Sequence, residues 1–151
     1  MLASQAHGQT PGPQLTSWRN LVGRTAVDVR ASPGEVRVAL AGDSAEVALV
    51  FRAAEVRRVL DTAIARLAPR RPTSTPWSVR LEEPGVRSGA LEFRRNRSAK
   101  GATWFSLFAA EDVVGGVRDS LGLAEVRAVL GALRTAAVAA LPPPRRPRRP
   151  G

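Results

Sequence analysis

AEVRRVL at residues 54–60 and AEVRAVL at residues 124–130 agree at six of seven positions, 70 residues apart. Each begins a longer segment whose apolar residues recur with the period of an amphipathic helix. The apolar stripes are Val56, Val59, Leu60, Ala63, Ile64 and Leu67 in the first segment, and Val126, Val129, Leu130, Leu133, Ala137 and Leu141 in the second. These stripes predict two helices, and their likeness indicates an internal repeat.

Strand patterns precede both helices and favour a true repeat over a chance likeness between Ala/Glu/Val/Arg/Leu helices. Before the first helix, residues 25–51 alternate with period two, broken by turn residues at 32–34 and 42–43, which predicts a three-stranded meander. Before the second, strand patterns occur at WSVRL, GALEFRR, ATWFSLFAA and DVVGGVRDSLG, which begin at residues 77, 89, 102 and 112. The sequence therefore predicts an α+β fold of two repeats, each with antiparallel strands followed by one amphipathic helix.

The domain boundaries follow from composition. Residues 1–16 are small, polar and rich in Gly and Pro, which is typical of a disordered terminus, although an organellar transit peptide has some of the same features. A duplicated domain is predicted over residues 17–141. It divides into repeat one at 17–69, a linker at 70–76, and repeat two at 77–141. Residues 142–151 form a basic Pro/Arg tail, with cations at Arg145, Arg146, Arg148 and Arg149.

Positive charge is concentrated in the middle of the chain and in this tail. The net charge is +10, and residues 66–100 carry nine basic side chains against three acidic ones. Clustered cations are the usual electrostatic mark of a nucleic-acid partner. Twenty-two of the 23 basic residues are arginine, a bias that a GC-rich genome also produces, so the clustering is the stronger indication.

The layout resembles that of the Whirly proteins, in which two strand-rich units are each closed by a helix. The likeness is strongest from TWFSLF at residues 103–108 through the helix LGLAEVRAVLGALRTAAVAALP. Gly23, Arg24 and Ala26 are similar to the basic glycine-lysine-alanine motif of the first Whirly strand, although its lysines are mostly absent. Compared with that layout, the first repeat is one strand short unless residues 17–23 supply it. Pur-alpha repeats and trypanosome mitochondrial guide-RNA-binding proteins share this layout. The resemblance implies binding of single-stranded DNA or RNA, a role in transcription regulation or DNA maintenance, and a homo-oligomer, often a tetramer, assembled through the helices.

The binding residues are expected around the hairpin LEFRRNRSAKGATWFSLF, residues 91–108. A binder of unpaired strands combines a cationic track with aromatic faces on which bases stack. Alternation along the last strand assigns Phe105 and Leu107 to the core and leaves Trp104 and Phe108 for the open face, unless a partner subunit buries it. Trp77 is expected to pack, and Trp18 to hold down the terminus. The predicted nucleic-acid contacts are Arg80, Arg87, Arg94, Arg95, Arg97, Lys100, Trp104 and Phe108, with the tail arginines as auxiliary contacts.

Enzyme chemistry has few candidate residues in this sequence. The chain has no cysteine and one histidine, His7, which lies in the polar terminus. Glu82 and Glu83 are neighbours on a strand and so are expected to point to opposite sides. No phosphate-binding glycine loop, nucleophile elbow or metal-ligand spacing occurs. We therefore expect no catalysis, cofactor, metal or small-molecule substrate, and no membrane partner, because no long apolar run is found.

Two other roles remain open with the same fold. The Pro/Arg tail is also typical of a structural subunit of a ribosome or organellar ribonucleoprotein. Alternatively, the open sheet face is an interface of a protein–protein oligomerisation module. The sequence is compatible with a bacterial cytoplasm or nucleoid and with a mitochondrion or plastid.

Overall fold

A computed structural model describes residues 15–67, 76–85, 89–111 and 115–142. In chain order the elements are β1 (Thr16–Val22), β2 (Thr25–Ser32), β3 (Glu35–Ala41), β4 (Glu46–Arg52), α1 (Ala53–Leu67), β5 (Ser78–Glu82), β6 (Ala90–Arg97), β7 (Thr103–Ala110), β8 (Val117–Leu121) and α2 (Leu123–Ala140). The predicted terminus up to residue 14, most of the linker and the Pro/Arg tail beyond residue 142 lie outside the described residues.

The strands form two antiparallel sheets, ordered β1-β2-β3-β4 and β5-β6-β7-β8. This arrangement confirms the predicted α+β class of sheet-plus-helix units. The first sheet has four strands rather than the three of the predicted meander. The additional strand is β1, which begins at Thr16 inside the segment expected to be disordered, and the backbone N–H of Leu15 already donates to Ala31 O. Periodicity did not predict β1, since three consecutive residues, 19–21, are exposed, but the strand lies where the Whirly-like layout allowed one, at residues 17–23.

Each sheet buries one side and leaves the other open. In the first sheet, Val36, Val38 and Leu40 of β3 are buried, as are Val47, Leu49 and Phe51 of β4. In the second, the buried side includes Phe93, Phe105 and Leu107. The helices cover these inner sides with the predicted stripes, since Val56, Leu60, Val129, Leu130 and Leu133 are all fully buried. One continuous core therefore lies between the sheets and the helices.

The resemblance led us to expect that each helix packs on the sheet of its own repeat. Instead, each helix also packs on the sheet of the other repeat. Helix α2 follows the second sheet but packs mainly on β1, β2 and β3 of the first. Helix α1 packs against α2 and β5, with smaller contacts to β3 and β4. An ion pair joins the helices, with Arg134 Nε 2.7 Å from Asp61 Oδ1. Because each helix contacts the other repeat's sheet, the two repeats are expected to fold as one unit.

Trp77 fixes the second sheet to α1. Its ring is 5% exposed and packs edge-to-face on Phe105 at 5.6 Å between centroids. Its Nε1–H donates to Ala63 O of α1 at 3.0 Å, which satisfies the one polar atom of the buried ring. Trp77 is therefore a core residue, as predicted, and Trp18 also packs, partly buried, against the core.

Acidic side chains of the second repeat hold the turn between β1 and β2. Asp119 Oδ2 accepts from the backbone N–H of Arg24 at 2.7 Å and from the Thr25 hydroxyl at 2.8 Å. Glu125 accepts from Gly23 N at 2.6 Å. Gly23 has φ +61, and a Cβ there would lie 2.6 Å from Asp119 Oδ2, so only glycine fits the turn without displacement. This contact fixes the position of Arg24 relative to β8.

Two further carboxylates bind the edge of the first sheet. Glu111 Oε1 accepts from Ala48 N at 2.8 Å, and Glu83 Oε2 accepts from Val50 N at 3.0 Å. Both donors are outward N–H groups of the edge strand β4, which would otherwise be open to pairing with another strand. Within the described residues, neither helix is long and apolar enough to cross a bilayer.

Candidate nucleic-acid interface

The open side of the second sheet carries most of the predicted contact residues that the structure describes. We call it the second outer face. Directly opposed residues of neighbouring strands share one side of a sheet, so the strand register defines this face. Apart from Ala90 and Ala110, which are buried, it consists of Ser78, Arg80, Glu82, Glu92, Arg94, Asn96, Trp104, Ser106, Phe108, Arg118 and Ser120.

Trp104 lies on this face with its indole accessible. The residue is 39% exposed, whereas the next residue in β7, Phe105, is buried against Trp77. Across the strands Trp104 opposes Asn96, whose Nδ2 donates to Ser106 Oγ at 2.7 Å. This hydrogen bond holds two polar neighbours beside the ring. An exposed indole on a rigid strand offers a flat apolar surface to a planar ligand.

Phe108 lies further along β7 and is only partly accessible. Arg118 of β8 stands directly opposite, and its guanidinium carbon is 4.5 Å from the centre of the Phe108 ring. This cation–π contact covers part of the ring, which the sequence had suggested as a stacking surface in its own right. A ligand over this position meets the Arg118 guanidinium together with the ring, and a guanidinium plane also stacks on bases.

Arg80 and Arg94 are held in place by Glu92 between them. Arg80 NH1 lies 3.3 Å and Arg94 NH2 3.1 Å from the Glu92 carboxylate. Arg80 also donates to Glu82 at 2.9 Å, and this bond, opposed by burial and assisted by Glu92, raises the pKa of Arg80 above its usual range. Glu92 thus holds both guanidinium groups in fixed positions, although it offsets part of their charge.

The other cations of the hairpin are not on the second outer face. Arg95 belongs to the opposite side of β6, where its NH1 donates to Leu67 O at the end of α1 at 3.3 Å. Alternation turns Arg95 towards the helix, so it does not share one side of the sheet with Arg80 and Arg94, and its contact with nucleic acid stays a prediction. Arg97 ends β6 and Lys100 lies in the following turn, both exposed. Arg94 and Arg95 are therefore strand residues, as the GALEFRR pattern predicts, and the strand continues to Arg97.

Some predicted contacts have no structural account. Arg87 lies between β5 and β6 but outside the described residues, as do Arg145, Arg146, Arg148 and Arg149. Arg118 lies on the second outer face but was not among the predicted contacts, whereas Arg24 was singled out only as part of the Whirly-like motif. Alternation in VRDSL, residues 117–121, would have placed Arg118 beside Ser120, but pairing it with Phe108 required the register of β8 on β7.

The open side of the first sheet differs in character, and we call it the first outer face. Its central residues are small: Ala26, Ala39, Ala41 and Ala48 line a shallow depression of about 530 Å³. Its remaining members are Ser17, Arg19, Leu21, Asp28, Arg30, Glu35, Arg37, Glu46, Val50 and Arg52. No aromatic side chain belongs to it.

Asp28 organises the charges of the first outer face. It accepts hydrogen bonds from Arg19 at 2.9 Å and from Arg30 at 3.0 Å. Partial burial raises the pKa of Asp28, but the bonds from Arg30 and Arg19 outweigh it and hold the pKa below its usual value of about 3.8. The guanidinium groups of Arg19 and Arg30 are thus already paired with the Asp28 carboxylate.

The sequence matches no protein-family model and no curated protein. In the part of the chain that the structure describes, no group of three or more His, Cys, Asp or Glu side chains is placed to hold a metal ion.

Proposed function

We propose that this protein is a non-catalytic binder of single-stranded DNA or RNA and that the second outer face is its binding surface. The observation that carries the proposal is the exposed indole of Trp104 on the same side of one sheet as Arg80, Arg94 and Arg118. Stacking surfaces and cations on one rigid face are the combination that unpaired strands require.

The two kinds of contact have separate roles. A base stacked on Trp104 contributes about 1–3 kcal/mol whatever its identity, because every base has a π face. Arginines that contact phosphates release counterions, so their contribution falls as salt rises. In a duplex the bases are already stacked on one another and are not available to the indole. Preference for single strands and low sequence specificity therefore follow from the same geometry.

Membership of the Whirly-like group of single-stranded nucleic-acid-binding proteins belongs to this proposal. The support is the layout of two four-stranded antiparallel sheets and two helices, together with the motif residues Gly23, Arg24 and Ala26. A role in transcription or DNA maintenance and a homo-oligomeric state, up to a tetramer, follow from that resemblance and are proposed with it.

Fluorescence anisotropy tests the proposal with labelled single- and double-stranded DNA and RNA of one mixed sequence. We expect tighter binding of the single strands and a linear fall of log affinity with log salt concentration. Equal affinity for duplex and single strand at every salt concentration would leave only generic attraction to positive charge. Absence of binding at low salt would reject the function.

A second candidate is a protein–protein interface on the first outer face. Leu21 is 68% exposed there beside the alanine-lined depression, an arrangement that suits an apolar contact better than a phosphate chain. Sedimentation velocity of the wild type and of Leu21→Asp measures this role. An oligomer that Leu21→Asp dissociates, with nucleic-acid binding retained, assigns the first outer face to self-association. An unchanged oligomer, or a wild-type monomer, assigns it no such role.

A further inference from the structure

A groove runs beside the second outer face, where the two sheets approach each other. One wall consists of the β1–β2 turn with Arg24 and the β3–β4 turn with Asp43. The other wall is the outer side of β7 and β8, with Ser106, Phe108, Arg118 and Ser120. Its volume is about 750 Å³, and all four of these residues on the second wall already belong to the second outer face. The groove is thus continuous with that surface.

Two unneutralised guanidinium groups, those of Arg24 and Arg118, line the groove. Neither side chain forms an ion pair with a carboxylate of the described residues. By contrast, Arg80 and Arg94 on the open face share Glu92. A phosphate bound in the groove would therefore not have to displace a carboxylate from either guanidinium group.

The groove also has two acidic residues, Asp119 and Asp43, and their carboxylates differ in how far other groups already offset their charge. Asp119 is occupied, since Oδ2 accepts from Arg24 N and the Thr25 hydroxyl while Oδ1 accepts from Ser120 N at 2.8 Å. Two backbone N–H groups and one hydroxyl thus offset part of its charge. Asp43 lies exposed in the opposite turn and is the remaining acidic group of the lining. An anion is expected to bind on the side of Arg24 and Arg118, away from Asp43.

We propose that this groove is a nucleotide subsite in which a phosphate of the bound single strand lies between Arg24 and Arg118. The inference rests on the proposed function, because the bound nucleic acid would reach the groove from Trp104 and Phe108 by following β7. Trp104 and Phe108 are four residues apart, roughly 13 Å along a strand, so the subsite extends the binding path beyond the open face. The turn that carries Arg24 is already fixed by Asp119 and Glu125, so little ordering is needed on binding.

The test compares Arg24→Gln with Arg52→Gln. Both arginines are exposed and lack an ion pair in the described residues, and both substitutions remove one charge, but Arg52 lies on the first outer face. With a labelled mixed-sequence single strand, Arg24→Gln should reduce the slope of log affinity against log salt by about 0.7, the value for one phosphate contact. Arg52→Gln should leave the slope at the wild-type value.

Two further variants probe the groove without removing a cation. Asp43→Asn should raise affinity for the strand, because the substitution removes the one exposed acid of the lining. Ser120→Leu fills the groove without changing charge and should weaken binding several-fold, with the salt slope reduced as in Arg24→Gln. Thermal unfolding of both variants checks that the fold is retained.

The outcomes separate this inference from the function beneath it. If the wild type binds single strands but Arg24→Gln and Arg52→Gln behave alike, the groove is rejected and the open face stands. If the wild type binds no strand, both proposals fail. Titration of AMP into the unliganded protein identifies the source of the phosphate: tight AMP binding lost in Arg24→Gln, without an effect of Arg24→Gln on strand binding, would replace the strand by a free nucleotide and overturn the proposal.

Discussion

The two outer faces are built alike but offer different surfaces to a ligand. The first carries four arginines against three carboxylates and the second three arginines against two, so their formal net charges are equal. What separates them is what stands at the centre: alanines in the first sheet, and Trp104 and Phe108 in the second. Charge alone therefore does not distinguish the two faces, and the aromatic residues carry the assignment.

The largest effect on binding is expected from the indole. Trp104→Ala removes a stacking surface worth about 1–3 kcal/mol, so affinity for a single strand should fall roughly 5- to 150-fold. Anisotropy measures the loss at one salt concentration.

The matched control is Leu21→Ala, which truncates an exposed apolar side chain on the first outer face and should leave affinity unchanged. Equal losses from the two substitutions would remove the distinction between the faces. Unfolding of Trp104→Ala, seen by circular dichroism, would instead assign the ring to the core.

A smaller effect is expected from single cations. Arg94→Gln should lower affinity a few-fold and reduce the salt slope by about 0.7, as the loss of one phosphate contact predicts. Arg37→Gln is the control, because Arg37 is also exposed and also paired with one glutamate, Glu35, at 3.2 Å. A change in slope with Arg37→Gln as large as with Arg94→Gln would indicate that the strand binds both faces.

The smallest effect concerns how much Asp28 of the first outer face contributes to the free energy of unfolding. Since the pKa of Asp28 is lower in the folded protein than in the unfolded chain, its contribution is present above about pH 3.8 and is lost as pH falls through the lower folded value. Asp28→Asn should therefore reduce the free energy of unfolding at neutral pH by about 1 kcal/mol or less. The difference from wild type should disappear in acid.

Urea denaturation at several pH values measures this difference. Glu46→Gln is the control, because Glu46 is an exposed carboxylate of the same face that forms no ion pair within the described residues. The affinity for single-stranded nucleic acid should be the same in both variants. A large loss of affinity in Asp28→Asn would show that the first outer face takes part in binding.

The sequence predicted those features that depend on local period and failed at those that depend on pairing. The helical stripes, the α+β class and the inward side of β7 follow from periods of 3.6 and 2, so Val56, Leu130 and Phe105 lie where expected. Periodicity did not predict strand β1, because residues 19–21 are all exposed and break the alternation, and only the Whirly-like layout left room for it.

The proposed binding face was only partly predictable for a similar reason. Alternation alone brought Trp104 to the open side, but it equally turned Arg95 away, and the density of cations in the hairpin concealed this. The register of β8 on β7 places Arg118 beside Phe108. Arg24 reaches the proposed subsite through a turn held by Asp119, which lies 95 positions further along the chain. No local pattern contains such long-range contacts.

Cross-linking gives the most direct test of the central assignment. A single strand that carries 5-iodouracil at successive positions is bound, irradiated and digested, and mass spectrometry identifies the attached peptide. The account predicts attachment within β7, at Trp104 or Phe108, with loss of the Trp104 adduct in Trp104→Ala. Attachment confined to β1–β4, with β7 unmodified at every position of the label, would contradict it.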